Sequence, residues 1–549
     1  MRRLDRRRSA RRLAFERVEP RTMFAATTTN DFGWSDAFAP TAGHMQVDDV
    51  EVDAKGNRYL VGTMWGSGNA SASIDFDPGQ GVALRTSVAG NAGQTAFVVK
   101  LDARGGLVWD REFSATNIGY GGLSVAVDST GNVIIGGGFS GTADFDPSAG
   151  SVIRKSSFNP DAIGIPSTTH QDLFLLKLNS SGTYLWDRRI PLAPQAVAAV
   201  RCGLGVATNG AVYVAGEFAG TVDFDPGAGT SNLASTVGVT SGGAAYSTTD
   251  IYMLKLAPAG TFAWARRVGG TANEEFGDLA VDASNNMLVS GGFEGTVDFN
   301  PSPMNLPLAS PALNGRSLPG DFALKLAADA TFRFAVTSGD VAVDIRGGID
   351  TDAAGNVFLA TQRAVDATTF ETRLRKLSAI GAMVWDARFS PVPPLGEVSF
   401  VISRGLTVDG SGNVFVVDYG NNTLRQITAA GVVSTVAGAV KIIGDTDSVG
   451  SAARFFDPTD VVADGSSLYI VDSSNNLIRK AVPASQAALP VISLHPASQE
   501  VSEGQAVTLR VTATGATGYR WLRNNAPIEG ATASALSISA AQASDVGLY

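Results

Sequence analysis

The feature that most constrains this chain is a turn that keeps returning. It reads Asp53-Ala-Lys-Gly56-Asn57, Asp128-Ser-Thr-Gly131-Asn132, Asp282-Ala-Ser-Asn285-Asn286, Asp352-Ala-Ala-Gly355-Asn356 and Asp409-Gly-Ser-Gly412-Asn413, with divergent copies at Thr208-Asn209-Gly210 and Asp464-Gly465. Asp and Asn side chains accept nearby backbone N–H groups, and Gly or Asn tolerates positive φ, so each copy predicts a tight hairpin between two strands. From the first copy to the seventh the spacings are 75, 80, 74, 70, 57 and 55 residues.

A third strand follows in each of the first five units: Phe97-Val-Val-Lys100-Leu101, Phe174-Leu-Leu-Lys177-Leu178, Tyr252-Met-Leu-Lys255-Leu256, Phe322-Ala-Leu-Lys325-Leu326 and Leu374-Arg-Lys376-Leu377. A fourth carries Trp109, Trp186, Trp264, Phe334 and Trp385 in one register. Repeats of roughly 40–50 residues with four short strands each predict propeller blades, and the longer early copies require insertions. The fold class is therefore all-β, a seven-bladed propeller. The last unit, ending near Leu477-Ile-Arg-Lys480, shows three strands, whereas Phe32-Gly-Trp34-Ser-Asp-Ala-Phe38 has the fourth-strand pattern ahead of the first blade. The N-terminal strand is thus expected to close the ring as the outer strand of blade seven, which removes exposed strand edges.

These repeats resemble known families. The first five units are similar to the bacterial seven-bladed SBBP repeat, and units six and seven, around Gly405-Leu-Thr-Val-Asp409 to Leu424-Arg-Gln-Ile427 and Pro458 to Lys480, resemble NHL repeats. The resemblance spans roughly residues 32–483 and implies the fold; such propellers serve as binding platforms, scaffolds and occasional enzymes. The tail, with Val501-Ser-Glu-Gly504-Gln-Ala-Val507-Thr-Leu509, Trp521, Leu536-Ser-Ile538 and Asp545-Val-Gly547-Leu-Tyr549, resembles an immunoglobulin-like sandwich. That resemblance makes Trp521 the core Trp and places Val511 where a first disulfide Cys would stand, so no bridge is expected. The pattern stops before the last strands of such a sandwich, so the chain is expected to be part of a longer protein. Residues 1–22 carry nine Arg against three acids, and Val18-Glu19-Pro20-Arg21 followed by Met23-Phe24 resembles the LEPR-type export segment of planctomycete surface proteins, with Val18 in place of Leu. The expected layout is a disordered basic export segment at 1–27, the propeller at 28–483, a linker at 484–490 and an incomplete immunoglobulin-like domain at 491–549. A basic arm that binds nucleic acid is the alternative reading of the N-terminus.

Composition narrows the partners. Outside residues 1–22 there are 33 basic and 49 acidic residues, a net charge of −16, which disfavours nucleic acid and anionic membranes. No run of 18 apolar residues offers a membrane span. The single Cys202 excludes an intrachain disulfide, and its place in the first strand of blade three predicts a buried core thiol. His44, His170 and His495 are dispersed over a loop, an insertion and the tail, and the sequence has no HExxH, GxSxG, P-loop or CxxC motif. A catalytic role would have to rest on Asp and Asn alone. Such an enzyme predicts an acidic cluster with strongly perturbed pKa values at the channel mouth, and a channel of small apolar residues would count against it.

The most chemically suggestive motif is Asp-Phe-Asp-Pro, at Asp75-Phe76-Asp77-Pro78, Asp144-Phe145-Asp146-Pro147 and Asp223-Phe224-Asp225-Pro226, with the variant Asp298-Phe299-Asn300-Pro301. In a strand both acids face one way and the Phe the other. Paired hard oxygens suit Ca²⁺, although two carboxylates fall short of its six to eight ligands. The structural alternative, favoured on the sequence, is that the Phe packs between blades and Asp-Pro ends the strand in a turn. The tryptophans are explained by repeat register: Trp65 aligns with Phe139, Phe218 and Phe293, and carbohydrate stacking has no obvious candidate.

Loop length distinguishes the two faces of the disc. The hairpins between strands one and two and between three and four are tight, whereas strands two and three are joined in the first four blades by Gly/Ser/Thr/Pro-rich insertions at roughly 79–95, 148–171, 227–249 and 302–320. Long loops on a rigid scaffold are where binding usually resides. The expectation is a noncatalytic exported or bacterial cell-surface protein, binding another protein or an extracellular polymer through its loop-rich face, with Ca²⁺ as a candidate stabiliser. The alternatives are a propeller hydrolase or lyase with an Asp/Asn site at the channel mouth, and an intracellular NHL-type interaction scaffold that would retain residues 1–25.

Overall fold

A computed structural model describes residues 12–16, 30–37, 40–66, 70–78, 82–87, 94–118, 122–147, 150–157, 171–192, 200–239, 245–301, 306–313, 316–344, 347–364, 370–389, 403–448, 450–465, 467–483, 491–494, 496, 499–514, 521–523, 526–528, 531 and 533–548. Residues 17–24 of the export motif, the linker 484–490, His170, His495 and Tyr549 lie outside the described residues. The chain divides into two compact units, Phe32–Val482 and Met1–Asp31 with Pro483–Tyr549.

The larger unit is a ring of seven blades. Its inner strands are His44–Val52, Ser124–Val127, Cys202–Val206, Glu275–Val281, Ile349–Thr351, Ser403–Val408 and Pro458–Asp464. Each pairs outward with a second, third and outer strand in antiparallel order. Blade four, for example, runs Glu275–Val281, Met287–Phe293, Gly320–Leu326 and Phe332–Val336. Successive inner strands touch around the circle, and the seventh returns to the first. Asn30–Ala37 pairs with Leu477–Pro483 and supplies the outer strand of blade seven, as the repeat register predicts.

Local chemistry builds each blade. In the turn at Asp128, one carboxylate oxygen accepts the N–H groups of Thr130 and Asn132 while the other accepts the Asn132 amide. Lys177 from the third strand meets the same carboxylate at 2.9 Å. Burial alone would raise this carboxyl, yet its hydrogen bonds to Thr130, Asn132 and Lys177 hold it at about 2. Lys325 repeats the pairing with Asp282 at 2.9 Å and Lys376 with Asp352 at 3.5 Å. In these three blades the recurring Lys of the third strand is therefore the partner of the recurring turn Asp, whereas Lys100 and Lys255 donate to the Ser180 and Ala328 carbonyls of the following blade.

Blades adhere through buried apolar layers and through the outer-strand aromatics. Trp109, Trp186, Trp264 and Phe334 are buried, and Trp385 is partly exposed. Each indole N–H donates to the carbonyl of the following blade's outer hairpin: Trp109 to Ser180, Trp186 to Pro258, Trp264 to Ala328 and Trp385 to Ala429, at 3.0–3.1 Å. The sequence register gives the apolar half of this contact, and the fold adds the polar half.

The insertions between strands two and three are more ordered than plain loops. In four blades they begin as short antiparallel ladders, Ser73–Asp75 with Leu84–Thr86, Val133–Asp144 with Ile153–Lys155, Thr221–Asp223 with Asn232–Ala234, and Thr296–Asp298 with Pro307–Ala309.

The smaller unit is also built of strands. Val507–Arg510 pairs with Ala535–Ile538, and Val491–Leu494 with Thr512–Thr514. Trp521 is buried with Leu509 and Leu536, and its indole donates to the Ala533 carbonyl at 2.8 Å. The expectation of a disordered arm at 1–27 does not hold for Arg12–Glu16, a strand that pairs antiparallel with Gln499–Ser502 and in parallel with Gly547–Leu548. Leu13 and Phe15 give that segment the period-two pattern of a strand despite its flanking Arg residues.

Candidate functional site

The candidate site is the central channel and the face onto which it opens. Strands in a blade run alternately up and down, so inner strands begin on the face that also carries the second-to-third-strand insertions. The cavity at that end, about 370 Å³, is lined by Gln46, Asp48, Asp49, Arg201, Asp278 and Asp460 among others. Deeper in the channel a second cavity of about 450 Å³ is lined by Asp49, Glu51, Asp278, Asp350 and Asp460, among others.

Bulges in the inner strands position these acids. The register shifts between Val47 and Asp49, between Phe276 and Asp278, and between Pro458 and Asp460. The bulge needs room: a Cβ on Gly62 would lie 2.0 Å from the Gln46 carbonyl oxygen, and one on Gly291 2.2 Å from that of Glu275. Each bulge frees a backbone N–H, and the Asp takes it with one oxygen: Asp49 from Val50, Asp278 from Leu279 and Asp460 from Val461, at 2.7–2.8 Å. The other oxygen reaches the next blade. Asp49 accepts the Ser124 hydroxyl and the Val125 N–H, Asp278 accepts the Ile349 N–H, and Asp350 bridges the Thr351 and Val408 N–H groups in the same manner. At the seam between blades seven and one, Asp460 meets Asp49 itself, and the two carboxyls share a hydrogen bond.

These carboxyls hold their protons unusually well. Burial pushes Asp48 and Asp278 up to about 7, Glu51 up to about 8 and Asp350 up to about 6. Asp49 and Asp460 are both raised, by burial first and, for Asp460, by the neighbouring Asp49 charge. One shared proton relieves that repulsion. The channel thus presents a partly protonated acid lining rather than small apolar side chains, the pattern set out above for the enzyme alternative. Yet Asp49, Asp278 and Asp350 each have both oxygens engaged by donors, so these acids bind the blades together.

Cys202 is partly buried and lines the channel mouth, rather than lying wholly in the core. Burial pushes its thiol up to about 12, with the Asp49 charge adding to the effect, so it is no thiolate at neutral pH.

The Asp-Phe-Asp-Pro motifs sit where the insertion ladders turn. The first acid accepts two backbone N–H groups with one oxygen: Asp75 from Asp77 and Ala83, Asp144 from Asp146 and Val152, Asp223 from Asp225 and Ser231, Asp298 from Asn300 and Leu306. Asp225 accepts the Gly227 N–H in turn. The four Phe residues are buried, and each packs on a third-strand ring, Phe76 on Phe97, Phe145 on Phe174, Phe224 on Tyr252 and Phe299 on Phe322, at 4.8–4.9 Å between centroids. Phe139, Phe218 and Phe293 meet the last three of these edge-on. Among the described residues no group of three or more His, Cys, Asp or Glu is arranged to hold a metal ion.

The channel acids were not among the residues singled out from sequence. A signal was available: Asp49, Asp278 and Asp460 each stand four residues before the turn positions Asp53, Asp282 and Asp464, where the other blades have Ser124, Gly203, Gly348 and Gly405, the blade-three turn being closed by the Ala207 backbone in place of an Asp.

No protein-family model and no curated protein matches the chain. Among solved structures, it is similar to a catalytically inactive virginiamycin B lyase from Staphylococcus aureus with quinupristin, at 8% identity and a TM-score of 0.38, over 81% of this chain and 98% of the other. It is also similar to an auxiliary nutrient binding protein from Bacteroides ovatus, at 12% identity and a TM-score of 0.28, over 80% of this chain and 98% of the other. At these values the likeness adds nothing to the seven-bladed fold and carries no ligand or reaction across.

Proposed function

We propose that this protein is a noncatalytic binding propeller, exported or held at a cell surface, that engages a protein or extracellular polymer through the face bearing the insertion ladders and the channel mouth. The observation that carries this reading is that the extra ladders are anchored, not loose. Each is pinned by a buried Phe and an Asp-capped turn, which lowers the entropy cost of presenting a binding surface. Their exposed strands present equivalent positions, Leu84, Ile153, Asn232 and Pro307, opposite the first Asp of each motif. Leu84 and Ile153 are about half exposed, at 49% and 51%. We read the tail as an immunoglobulin-like spacer and residues 1–27 as the export segment. Calcium at Asp75, Asp77, Asp144, Asp146, Asp223, Asp225, Asp298 and Asn300 is not needed for this reading, since two turn N–H groups already hold one oxygen of the first acid of each motif.

The test is a binding screen against extracellular polysaccharides and surface proteins with wild type and the double variant Leu84→Glu, Ile153→Glu. Loss of a detected interaction in the variant, with an unchanged melt, is expected. Binding that survives the change and is abolished by blocking the opposite face would refute the assignment. The hydrolase or lyase reading is favoured by one observation, the raised channel acids. It predicts turnover that disappears in Asp278→Asn while ligand binding persists.

A further inference from the structure

Three blade junctions carry the same outer-strand pair, a Trp followed two residues later by an Arg: Trp109 and Arg111, Trp186 and Arg188, Trp264 and Arg266. At the first two the Arg closes the junction. Arg111 donates Nε to the Gly182 carbonyl at 2.8 Å and Nη2 to that of Ser181 at 3.1 Å; Arg188 donates Nε to Gly260 at 2.6 Å and Nη2 to Ala259 at 2.8 Å. The third junction keeps the Trp bond to Ala328 but not the Arg fork. Arg266 donates Nη1 to its own neighbour Ala265 at 2.8 Å, and among the described residues its Nε and Nη2 have no acceptor.

The cause is one methyl group. The hairpin residue that is Gly182 or Gly260 elsewhere is Ala330 here, held at φ 68°. A Cβ on Gly182 would stand 3.1 Å from Arg111 Cζ, and one on Gly260 would stand 3.0 Å from Arg188 Nε and Nη2. Ala330 has that Cβ, and the Arg266 guanidinium sits further out, its Cζ 6.0 Å from the Trp264 ring centroid against 5.5 and 5.2 Å at the other two junctions, without the two hairpin bonds. It faces instead a cleft of about 840 Å³ between blades three and four, lined by Leu233, Arg266, Asn300, Asp329, Thr331 and Phe332 among others. The adjacent Arg267 is committed to Asp250. Asp329 accepts the Thr331 N–H at 3.0 Å, and among the described residues it forms no ion pair with Arg266.

We propose that this cleft is a binding site for a uronic-acid unit of a polysaccharide, with Arg266 holding the carboxylate. In the neighbouring junctions Nε and Nη2 of the Arg accept placement against two oxygens side by side, which is the geometry of a bidentate carboxylate. Leu233 and Phe332 offer apolar wall to a sugar ring, and Asp329 and Thr331 offer partners for its hydroxyls. The cleft also contains Asp298, so with Asp329 its acids disfavour a densely charged anion such as a sulfated chain. The site shares no lining residue with the channel mouth and goes beyond the binding surface proposed above.

The experiment is calorimetric titration of the full chain with trigalacturonate, with its methyl ester, and with a short peptide bearing a free C-terminal carboxylate. The expected result is binding of the free acid in preference to both other probes. It should weaken about tenfold or more in Arg266→Gln, from loss of the charge-assisted fork. Ala330→Gly should weaken it comparably, because the glycine lets Arg266 latch onto the hairpin while the net charge stays the same. Both variants should melt no lower than wild type. Absence of trigalacturonate binding, equal binding of the ester, tighter binding of the peptide, or insensitivity to Arg266→Gln or Ala330→Gly would each overturn the proposal.

Discussion

Replacing Glu51 by Gln tests whether the channel acids are held neutral by burial. Burial pushes this carboxyl from 4.5 up to about 8, and the charges of Asp49 and Asp350 add to the effect. A carboxyl raised in the folded state keeps its proton where the unfolded chain has released it. Stability from this group is therefore present in full below about 4.5 and lost as pH rises toward 8. Each tenfold gain in proton affinity corresponds to ~1.4 kcal/mol, which sets a ceiling of about 5 kcal/mol. Glu51 lines the open channel, where solvent screens its charge, so about 2 kcal/mol is the magnitude to expect. Gln has nearly the same shape and no charge at any pH. The variant should match wild type near pH 4.5 and be more stable by about 2 kcal/mol near pH 8. Urea denaturation followed by tryptophan fluorescence at fixed ionic strength gives both values. Parallel loss of stability in the two proteins between pH 5 and 8 would refute the burial argument.

Three further outcomes follow from the geometry. Trp264→Phe should cost about 1 kcal/mol by losing the bond to Ala328, and Trp264→Ala about 3–5 kcal/mol by also leaving a cavity; a Phe variant as stable as wild type in urea denaturation would show that the indole bond contributes nothing. Deleting residues 30–37 strips blade seven of its outer strand and should lower the melting temperature markedly; a deletion that melts like wild type would contradict closure through that strand. Melts with Ca²⁺ and with excess chelator should coincide, whereas a ligand bound only by the folded state at 100 times its dissociation constant would add about 2.7 kcal/mol and return the Asp-Phe-Asp-Pro acids to metal ligation.

The sequence by itself determined the repeat. Turn chemistry at Asp53 and its counterparts is local, the third-strand Lys and fourth-strand Trp recur at set distances from it, and the stray N-terminal pattern at Trp34 had one vacant place to fill. Strand count, ring closure and the separation of tight from elaborated connections were legible because each depends on a short stretch of chain. The channel acids were not legible in that way. Asp49 and Asp460 are more than 400 residues apart in sequence and meet only because the ring closes. Asp278 gains its role from a bulge and from a backbone N–H in the next blade. The cleft at Arg266 depends on a single Ala against two Gly in hairpins of other blades, a difference without consequence until the junctions are superposed. Local hydrogen bonding is written into neighbouring residues; proton sharing, inter-blade latching and the shape of a cleft are properties of surfaces that only tertiary packing brings together.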